Sequence, residues 1–344
     1  MNCMLANQTP LPALLHPYRD HLGQSHVLVV VKACWRLSTG RMAPAEQQVG
    51  LQMQPVRMRL GDLALDRAQE LALKSRLDQE VVWRDHDLAP PKPAFDVLIA
   101  GYATAPPNHP QLFIDAGLRI GTHVHSVRAF APRYWHPGWI GYQAKPLAPA
   151  VRRVPLSYAL ADWSEGFAIA PSGAAGANDT PACLPWLEAP HTPSRRNKHP
   201  RVPAGPGFWP ENAAHRAIHT GTYDDAWQRE RSPDLPSNFN PRFYNAAHPE
   251  LQLAQAPAAG TPIRLVHLAQ QAIIDCSFPA LGLSVQARTA SGHTHAPQAL
   301  KPDTLIIEAD QDRFSVLWRI LLPAGAQQNA LRNVRLFKTG SQAA

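Results

Sequence analysis

The segment from Asp87 to Ala103 reads DLAPPKPAFDVLIAGYA, and it determines how the middle of the chain folds. Three prolines stiffen its first half, because proline fixes φ and lacks a backbone N–H donor. A short apolar run, 97–100, follows and ends at Gly101. Apolar runs of about four to eight residues that are bounded by proline and glycine are typical of buried β-strands. The segment therefore predicts a core strand with an extended lead-in.

The same segment carries three charged residues, Asp87, Lys92 and Asp96, around the start of the predicted strand. A charge at the depth of a core strand is costly unless it is paired. We therefore expect a structural ion-pair network in which Lys92 lies between the two aspartates. A catalytic set made of the lysine and the aspartates is the alternative interpretation.

The composition favours many short strands over long helices. The chain has 344 residues, of which 35 are proline and only 17% are charged, with a net charge of +7. Proline at about twice its average frequency interrupts helices. The only dense basic run, 195–201, lies in a proline-rich stretch without aromatic residues, so we expect no nucleic-acid binding. A basic surface is equally suited to an anionic protein partner.

Apolar periodicity predicts a mainly β protein with antiparallel, β-sandwich-like sheets, long ordered Pro/Gly-rich loops and few short helices. One helix is expected at 60–77, and residues 96–130 are expected to form an antiparallel meander. Six short strands near the C terminus suit a sandwich. The predicted strands are 26–37, 96–104, 112–120, 122–130, 262–269, 272–278, 281–288, 303–309, 313–321 and 331–337.

Three parts can be distinguished along the chain: a β-rich part at 1–160, a loop-rich segment at 161–260 and a sandwich-like part at 261–344, or all three form one continuous domain. The N terminus lacks the basic and apolar regions of a signal peptide, and no apolar run reaches the length of a membrane span. We therefore expect a cytoplasmic protein. The four cysteines are far apart and show no zinc-binding spacing.

Catalytic motifs are not evident in the sequence, so we expect a protein that is not an enzyme, without catalytic, cofactor or metal residues. His123 and His125 share one face of a predicted strand, which leaves a metal-assisted hydrolase as an alternative. His293 and His295 repeat the spacing in a loop. The scattered tryptophans leave a β-sandwich carbohydrate-binding module as another alternative. The paired carboxylates Asp224 and Asp225 lie in the turn-like stretch GTYDDAW, where we expect an Asx cap.

A second long segment, 221–253, reads GTYDDAWQRERSPDLPSNFNPRFYNAAHPELQL. Together with the segment quoted first, it resembles the two signatures of a bacterial family that was long classed as a domain of unknown function and is associated with type VI secretion. Shorter matches are VVVKACW, PWLEAP, PAGPGFWP and DTLIIEADQDRFSVLWR. The signature positions, which we expect to be structural, are Asp87, Lys92, Asp96, Gly101, Tyr223, Asp224, Trp227, Pro236, Phe239, Arg242, Phe243 and Asn245.

The resemblance implies an adaptor or chaperone that binds a cognate effector carrying a PAAR or spike component and assists its loading for export. Residues 158–179 depart from the glycine-rich pattern of the family. We therefore expect changes in the loop 158–210 to weaken effector binding with little effect on stability. Changes at Trp227 or Phe243, in contrast, should destabilise the fold. The sequence leaves the identity of the partner-binding residues open.

Overall fold

The computed structural model describes residues 3–37, 42–139, 141–147, 150–161, 184–191 and 202–339. Within these ranges the chain is mainly β, with mostly antiparallel sheets, which confirms the predicted fold class. Three short α-helices interrupt the strands in the described ranges: α1 at Arg67–Ala72, α2 at Ala214–Ala217 and α3 at Asp225–Glu230.

The strands are numbered in chain order. They are β1 Met4–Asn7, β2 Ala13–Arg19, β3 Ser25–Arg36, β4 Ala43–Pro44, β5 Val56–Arg59, β6 Glu80–Arg84, β7 Phe95–Ile99, β8 Tyr102–Thr104, β9 Phe113–Ile120, β10 His123–Phe130, β11 Arg133–Pro137, β12 Tyr142–Pro146, β13 Arg153–Pro155, β14 Leu187–Glu188, β15 Gln252–Leu253, β16 Pro262–Val266, β17 Ile273–Ser277, β18 Leu283–Thr289, β19 Gln298–Ala299, β20 Lys301–Glu308, β21 Arg313–Pro323 and β22 Leu331–Lys338.

The largest sheet has the strand order β15-β7-β20-β21-β3-β2, and β4 pairs with β3. Strand β7, the predicted core strand, is buried at every residue and runs parallel to β20, while the other neighbours in this sheet are antiparallel. Strand β3 is a nearly continuous apolar run that is buried on both faces, as expected of a central strand. The sheet draws its strands from all three predicted parts of the chain, and that division stays a prediction.

Two smaller sheets complete the main architecture. One has the order β14-β10-β9-β16-β17, and the other has the order β1-β22-β18-β19. Strands β9 and β10 form a tight hairpin, with Gly121 at φ 57° in its turn, where a side chain would be strained. Along β10 the buried residues alternate with more exposed ones, so His125, Val127 and Ala129 point inward.

The pairing of β7 corrects the predicted meander. We expected residues 96–130 to form consecutive antiparallel neighbours, but β7 lies in the largest sheet while β9 and β10 lie in the five-stranded one. The predicted strand 96–104 is also divided at Gly101, after which β8 pairs with β13. Short gaps in the sequence indicated hairpins, and only the β9–β10 gap is one.

The helix predicted over 60–77 is the six-residue α1 flanked by 3-10 turns at 60–62 and 74–76. The Asp66 carboxylate accepts a hydrogen bond from the Gln69 backbone N–H, and the Gln69 side-chain oxygen accepts one from the Asp66 backbone N–H, which fixes where the helix begins. The six predicted C-terminal strands form, and they are distributed over three sheets.

Candidate functional site

Lys92 and Asp96 of the first signature form a buried ion pair. The Lys92 Nζ lies 2.7 Å from the Asp96 Oδ2, and both side chains are almost fully buried. The Lys92 backbone N–H also donates to the Asp303 carboxylate at 3.2 Å. These contacts confirm the predicted pairing of Lys92 with Asp96 at the start of the core strand.

Asp87 has different partners from those we expected. Its carboxylate lies 3.5 Å from the Lys32 Nζ and 3.4 Å from the Arg84 guanidinium, and it accepts the Gln52 amide at 2.8 Å. Lys92 is not among its ion-pair partners in the described part of the chain. The prediction that Lys92 bridges both aspartates is therefore wrong, because Lys32 projects from β3 into the position beside Asp87.

The Asp87 pair continues into a longer buried network. Arg84 lies 3.6 Å from Glu308, which in turn accepts two hydrogen bonds of 2.6 Å from Arg313. Arg319 donates to the Asp87 carbonyl at 3.0 and 3.1 Å and pairs with the Asp303 carboxylate. Burial lowers the pKa of Lys32, while the Asp87 charge opposes that shift. Each of these charges has an opposite charge or a carbonyl beside it, as buried ions require.

A space of about 20 Å³ lies beside this network, next to Lys92, Arg216 and Arg319. That volume holds roughly one water molecule and no substrate. Arg216 reaches it from α2, donating to the Trp209 and Phe243 carbonyls at 2.7 and 2.8 Å. The network has a structural role: it holds the extended segment before β7 and the second signature against the largest sheet.

Sequence reasoning missed most members of the network outside the two signatures. They are Lys32, Arg84, Arg216, Asp303, Glu308, Arg313 and Arg319. The signal that could have revealed them is a charge placed inside or next to an apolar run, as in VVVKACW. Lys32, the charge inside that run, is paired with Asp87.

The second signature is attached to the first through Asn245. Its side-chain amide donates to the Asp96 Oδ1 at 2.8 Å and to the Ala94 carbonyl at 2.9 Å. The Ala246 amide donates to the other Asp96 oxygen at 2.8 Å. The two segments that carry the family resemblance therefore meet at one carboxylate.

Local contacts shape the rest of the second signature. Asp224 is the N-cap of α3 and accepts the Trp227 amide at 2.8 Å, which confirms its predicted capping role. The Trp227 indole donates to the Asp234 carbonyl at 2.8 Å. The rings of Phe239 and Phe243 pack at 5.6 Å between centroids. These contacts hold the turn-rich segment together without extended strands.

The remaining signature positions differ in exposure. Pro236 is buried, whereas Tyr223 and Arg242 are exposed. At Gly101 an added Cβ would lie 3.1 Å from the Asp310 carboxylate, which accounts for the glycine between β7 and β8. Tyr223 packs edge-on against Trp227, so its exposed side is the only part offered to a partner.

A histidine cluster lies where β10 meets the end of the second signature. His125 and His248 are buried with ring centroids 4.7 Å apart, and the His125 Nδ1 lies 3.1 Å from the Glu250 Oε2. His123, which we paired with His125 from strand spacing, is exposed and outside this cluster. His293 and His295 form a separate exposed pair with centroids 4.9 Å apart.

The surroundings keep the buried imidazoles neutral. Burial lowers the pKa of His125, against the opposing effect of Glu250. Burial, together with neighbouring His125, lowers the pKa of His248 to about 4. Trp209 packs against His248 and also against His215, whose pKa is lowered to about 3 by burial and by the Arg216 charge.

The β11–β12 hairpin projects from the body of the molecule. All five residues of β12 are exposed, and in the described residues β12 pairs with β11 alone. Trp139, in the turn, is fully exposed, and Trp139 is the only exposed tryptophan that the structure describes. Tyr142 is 46% exposed. This hairpin is a candidate surface for binding another polypeptide.

Most of the divergent segment 158–179 falls within residues 162–183, which lie outside the described ranges. The described residues on either side of 162–183 lie near this hairpin. The Leu184 amide donates to the Arg133 carbonyl at 2.8 Å, and Arg133 pairs with Glu188 at 2.5 Å. Ala161 forms a bridge with Leu187, so both ends meet next to β11.

Comparison with known proteins shows that the chain matches a bacterial protein family across most of its length. Residues 22–319 match the family described as "Uncharacterized protein conserved in bacteria (DUF2169)", and the chain belongs to it. No curated protein and no solved structure matches the chain. Among the helices that the structure describes, none is long and apolar enough to cross a membrane.

Proposed function

We propose that the protein is a cytoplasmic adaptor or chaperone, not an enzyme, that binds a cognate type VI secretion effector with a PAAR or spike component. The family match, residues 22–319, spans both signatures, which supports a role for them that is common to the family. The choice of a type VI effector as the partner depends on the resemblance described above. The observation that carries the proposal of a binding protein is the outer edge of β12, a strand that pairs only with β11 among the described strands.

Strand β12 can extend its sheet with a strand from another chain. The register of the hairpin pairs Trp135 with Ala144 and His136 with Gln143. The Gly138 amide bonds to the Gly141 carbonyl, and the Leu147 amide bonds to the Pro132 carbonyl. Because inward and outward N–H groups alternate along an antiparallel pair, the Ala144 N–H group points away from β11. An extended effector segment can accept that hydrogen bond.

Apolar side chains around the hairpin supply anchors for such a strand. Besides Trp139 and Tyr142, exposed side chains at Leu112, Phe113 and Leu147 lie in or next to the hairpin and β9. Large aromatic residues contribute most to the affinity of protein interfaces. The net charge of +7 additionally favours an anionic partner.

The position of the divergent segment suits a role in partner choice. The described residues that flank 162–183, Ala161 and Leu184, lie near the base of the hairpin. Sequence divergence next to a binding edge can change which effector is accepted. This arrangement supports the expectation that the loop 158–210 takes part in binding.

The proposal is tested by co-purifying the full chain with the spike- or PAAR-bearing effector encoded beside its gene. Ala144→Pro removes one outward N–H from an exposed edge, where proline is tolerated. We expect it to weaken binding about tenfold, and Trp139→Ala about 30-fold. Ala144→Val keeps the N–H and is the matched control, which should bind as the wild type does.

Two results would contradict different parts of the proposal. If Ala144→Pro and Trp139→Ala bind the effector with wild-type affinity, the hairpin is not the binding surface. If the folded wild-type protein binds no spike- or PAAR-bearing effector, the type VI assignment is wrong. Thermal melts of each variant show that losses of binding do not come from unfolding.

A further inference from the structure

We propose that His125, His248 and Glu250 form a binding site for a divalent transition-metal ion, with Zn²⁺ as the best-fitting ion. Each residue offers one ligand atom, and these three atoms lie within 4.8 Å of one another. Two imidazoles and one carboxylate are a ligand set that zinc uses in proteins. The site is independent of the adaptor proposal, because it lies in the body of the fold and involves no residue of the hairpin.

The spacing of the ligand atoms fits a tetrahedral ion. With metal–ligand bonds of about 2.0–2.1 Å, neighbouring ligands in a tetrahedral site lie about 3.3 Å apart. The His125 Nδ1 and the Glu250 Oε2 are already 3.1 Å apart. The Glu250 side chain is 70% exposed, so its carboxylate can adjust to an ion held between the two buried histidines.

The two histidines have the surroundings of metal ligands. The His125 side chain is only 6% exposed, and its Nδ1 faces the Glu250 Oε2, so this nitrogen is the ligand atom of His125. Burial of the ligand limits the access of solvent to an ion held there.

His248 shows the arrangement that orients a ligating imidazole. It donates to the Pro203 carbonyl, and its Nδ1 accepts the Glu250 amide at 3.2 Å, so the donor is Nε2. A histidine that binds a metal through one ring nitrogen usually donates a hydrogen bond from its other ring N–H to a carbonyl or carboxylate. The Nδ1 lone pair of His248 is then the ligand. Metal binding at this nitrogen replaces the 3.2 Å hydrogen bond that it accepts from the Glu250 amide.

An ion at this site would hold two parts of the fold together. His125 is on β10 of the five-stranded sheet, whereas residues 248–250 lead directly into β15, which pairs with β7. Binding would therefore stabilise the junction between the second signature and the five-stranded sheet. Because ligand binding to the native state raises stability, the melting temperature should rise with the concentration of the ion.

The test uses the full, untagged chain, dialysed against EDTA and titrated with ZnCl2 by calorimetry. We expect one strong site for each chain and a rise in the melting temperature. Glu250→Gln changes an exposed side chain and should weaken the strong site more than about tenfold. The matched control is the double variant His293→Ala/His295→Ala, which removes the exposed histidine pair and should leave the strong site unchanged.

The proposal is overturned if the wild type has no strong site, if Glu250→Gln binds Zn²⁺ as tightly as the wild type, or if the control variant loses the site. Co²⁺ supplies a readout that needs no variant. Bound Co²⁺ should show the intense visible absorption of a four-coordinate ion, and a spectrum like that of the hexaaquo ion would equally overturn the assignment.

Discussion

Asn245 donates a hydrogen bond of 2.8 Å to the Asp96 Oδ1, and this contact joins two segments that are 149 residues apart in the sequence. The second carboxylate oxygen accepts the Ala246 amide at 2.8 Å and the Lys92 Nζ at 2.7 Å. A carboxylate buried in a core strand is tolerated because all of these donors converge on it. The polar residues of the two signatures therefore hold the second signature on the largest sheet.

Asp96→Asn should lower the free energy of unfolding by about 3–5 kcal/mol. The change leaves the Lys92 ammonium buried without its counter-charge, which is the costly way to break a buried pair. Urea denaturation, monitored by tryptophan fluorescence, measures this change in the free energy of unfolding. Asp78→Asn is the control: Asp78 is 98% exposed, so loss of its contact with Arg59 should leave stability unchanged.

A double variant separates the pair from the rest of the network. Lys92→Met combined with Asp96→Asn removes both charges, and it should be more stable than Asp96→Asn alone. If Asp96→Asn is as stable as the wild type, the carboxylate does not hold the two signatures together.

The indole of Trp227 should contribute through its hydrogen bond as well as its packing. Trp227→Phe keeps a ring beside Tyr223 but removes the donor to the Asp234 carbonyl, so we expect a loss of about 1 kcal/mol. Trp227→Ala loses the packing too and should cost more. Chemical denaturation compares both variants with the wild type, and a Trp227→Phe variant as stable as the wild type would show that the hydrogen bond contributes nothing.

Strand positions were largely predictable from the sequence, whereas strand partners were not. The run around Val97 predicted β7 because apolar residues between proline and glycine leave few other choices. Its neighbours are Thr304 to Ile307 on β20, more than 200 residues later, and no local pattern encodes such a pairing. The same limit explains the wrong meander: short gaps were read as hairpins although β7 lies in another sheet.

The candidate sites show the same division between local and distant information. The capping role of Asp224 depends on residues up to three positions away, and it was predicted. One partner of Asp87 is Lys32 on the distant strand β3, and the histidine that meets His125 is His248. Spacing along β10 suggested His123 instead, because sequence patterns reveal residues on one strand and not those on segments packed against it.

His215 should make the protein less stable in acid. Its folded-state pKa of about 3 lies below the ordinary value of 6.5 because burial and Arg216 disfavour the charged ring. The unfolded chain therefore binds the proton more readily than the folded one. The stability that the neutral ring permits is fully present above pH 6.5 and is lost as the pH falls toward about 3, by up to about 1.4 kcal/mol per pH unit.

The measurement is the difference in unfolding free energy between His215→Phe and the wild type from pH 7 to pH 4. We expect the difference to shift in favour of the variant as the pH falls, because the variant has no imidazole to protonate. His123→Phe changes an exposed histidine and should follow the wild-type pH dependence. A pH-independent difference for His215→Phe would contradict the prediction.

The loop 158–210 should divide into structural and binding parts. Trp186 is fully buried in the core, so Trp186→Ala should lower the unfolding free energy by about 3–5 kcal/mol, contrary to the behaviour expected of a surface loop. Its Nε1 has no hydrogen-bond partner among the described residues, so Trp186→Phe should cost much less. Replacing 165–182 with a Gly/Ser linker of equal length should leave the melting temperature within a few degrees and weaken effector binding. Calorimetric melts and binding titrations of the three variants check both parts, and a linker variant that melts early but still binds would reverse the assignment.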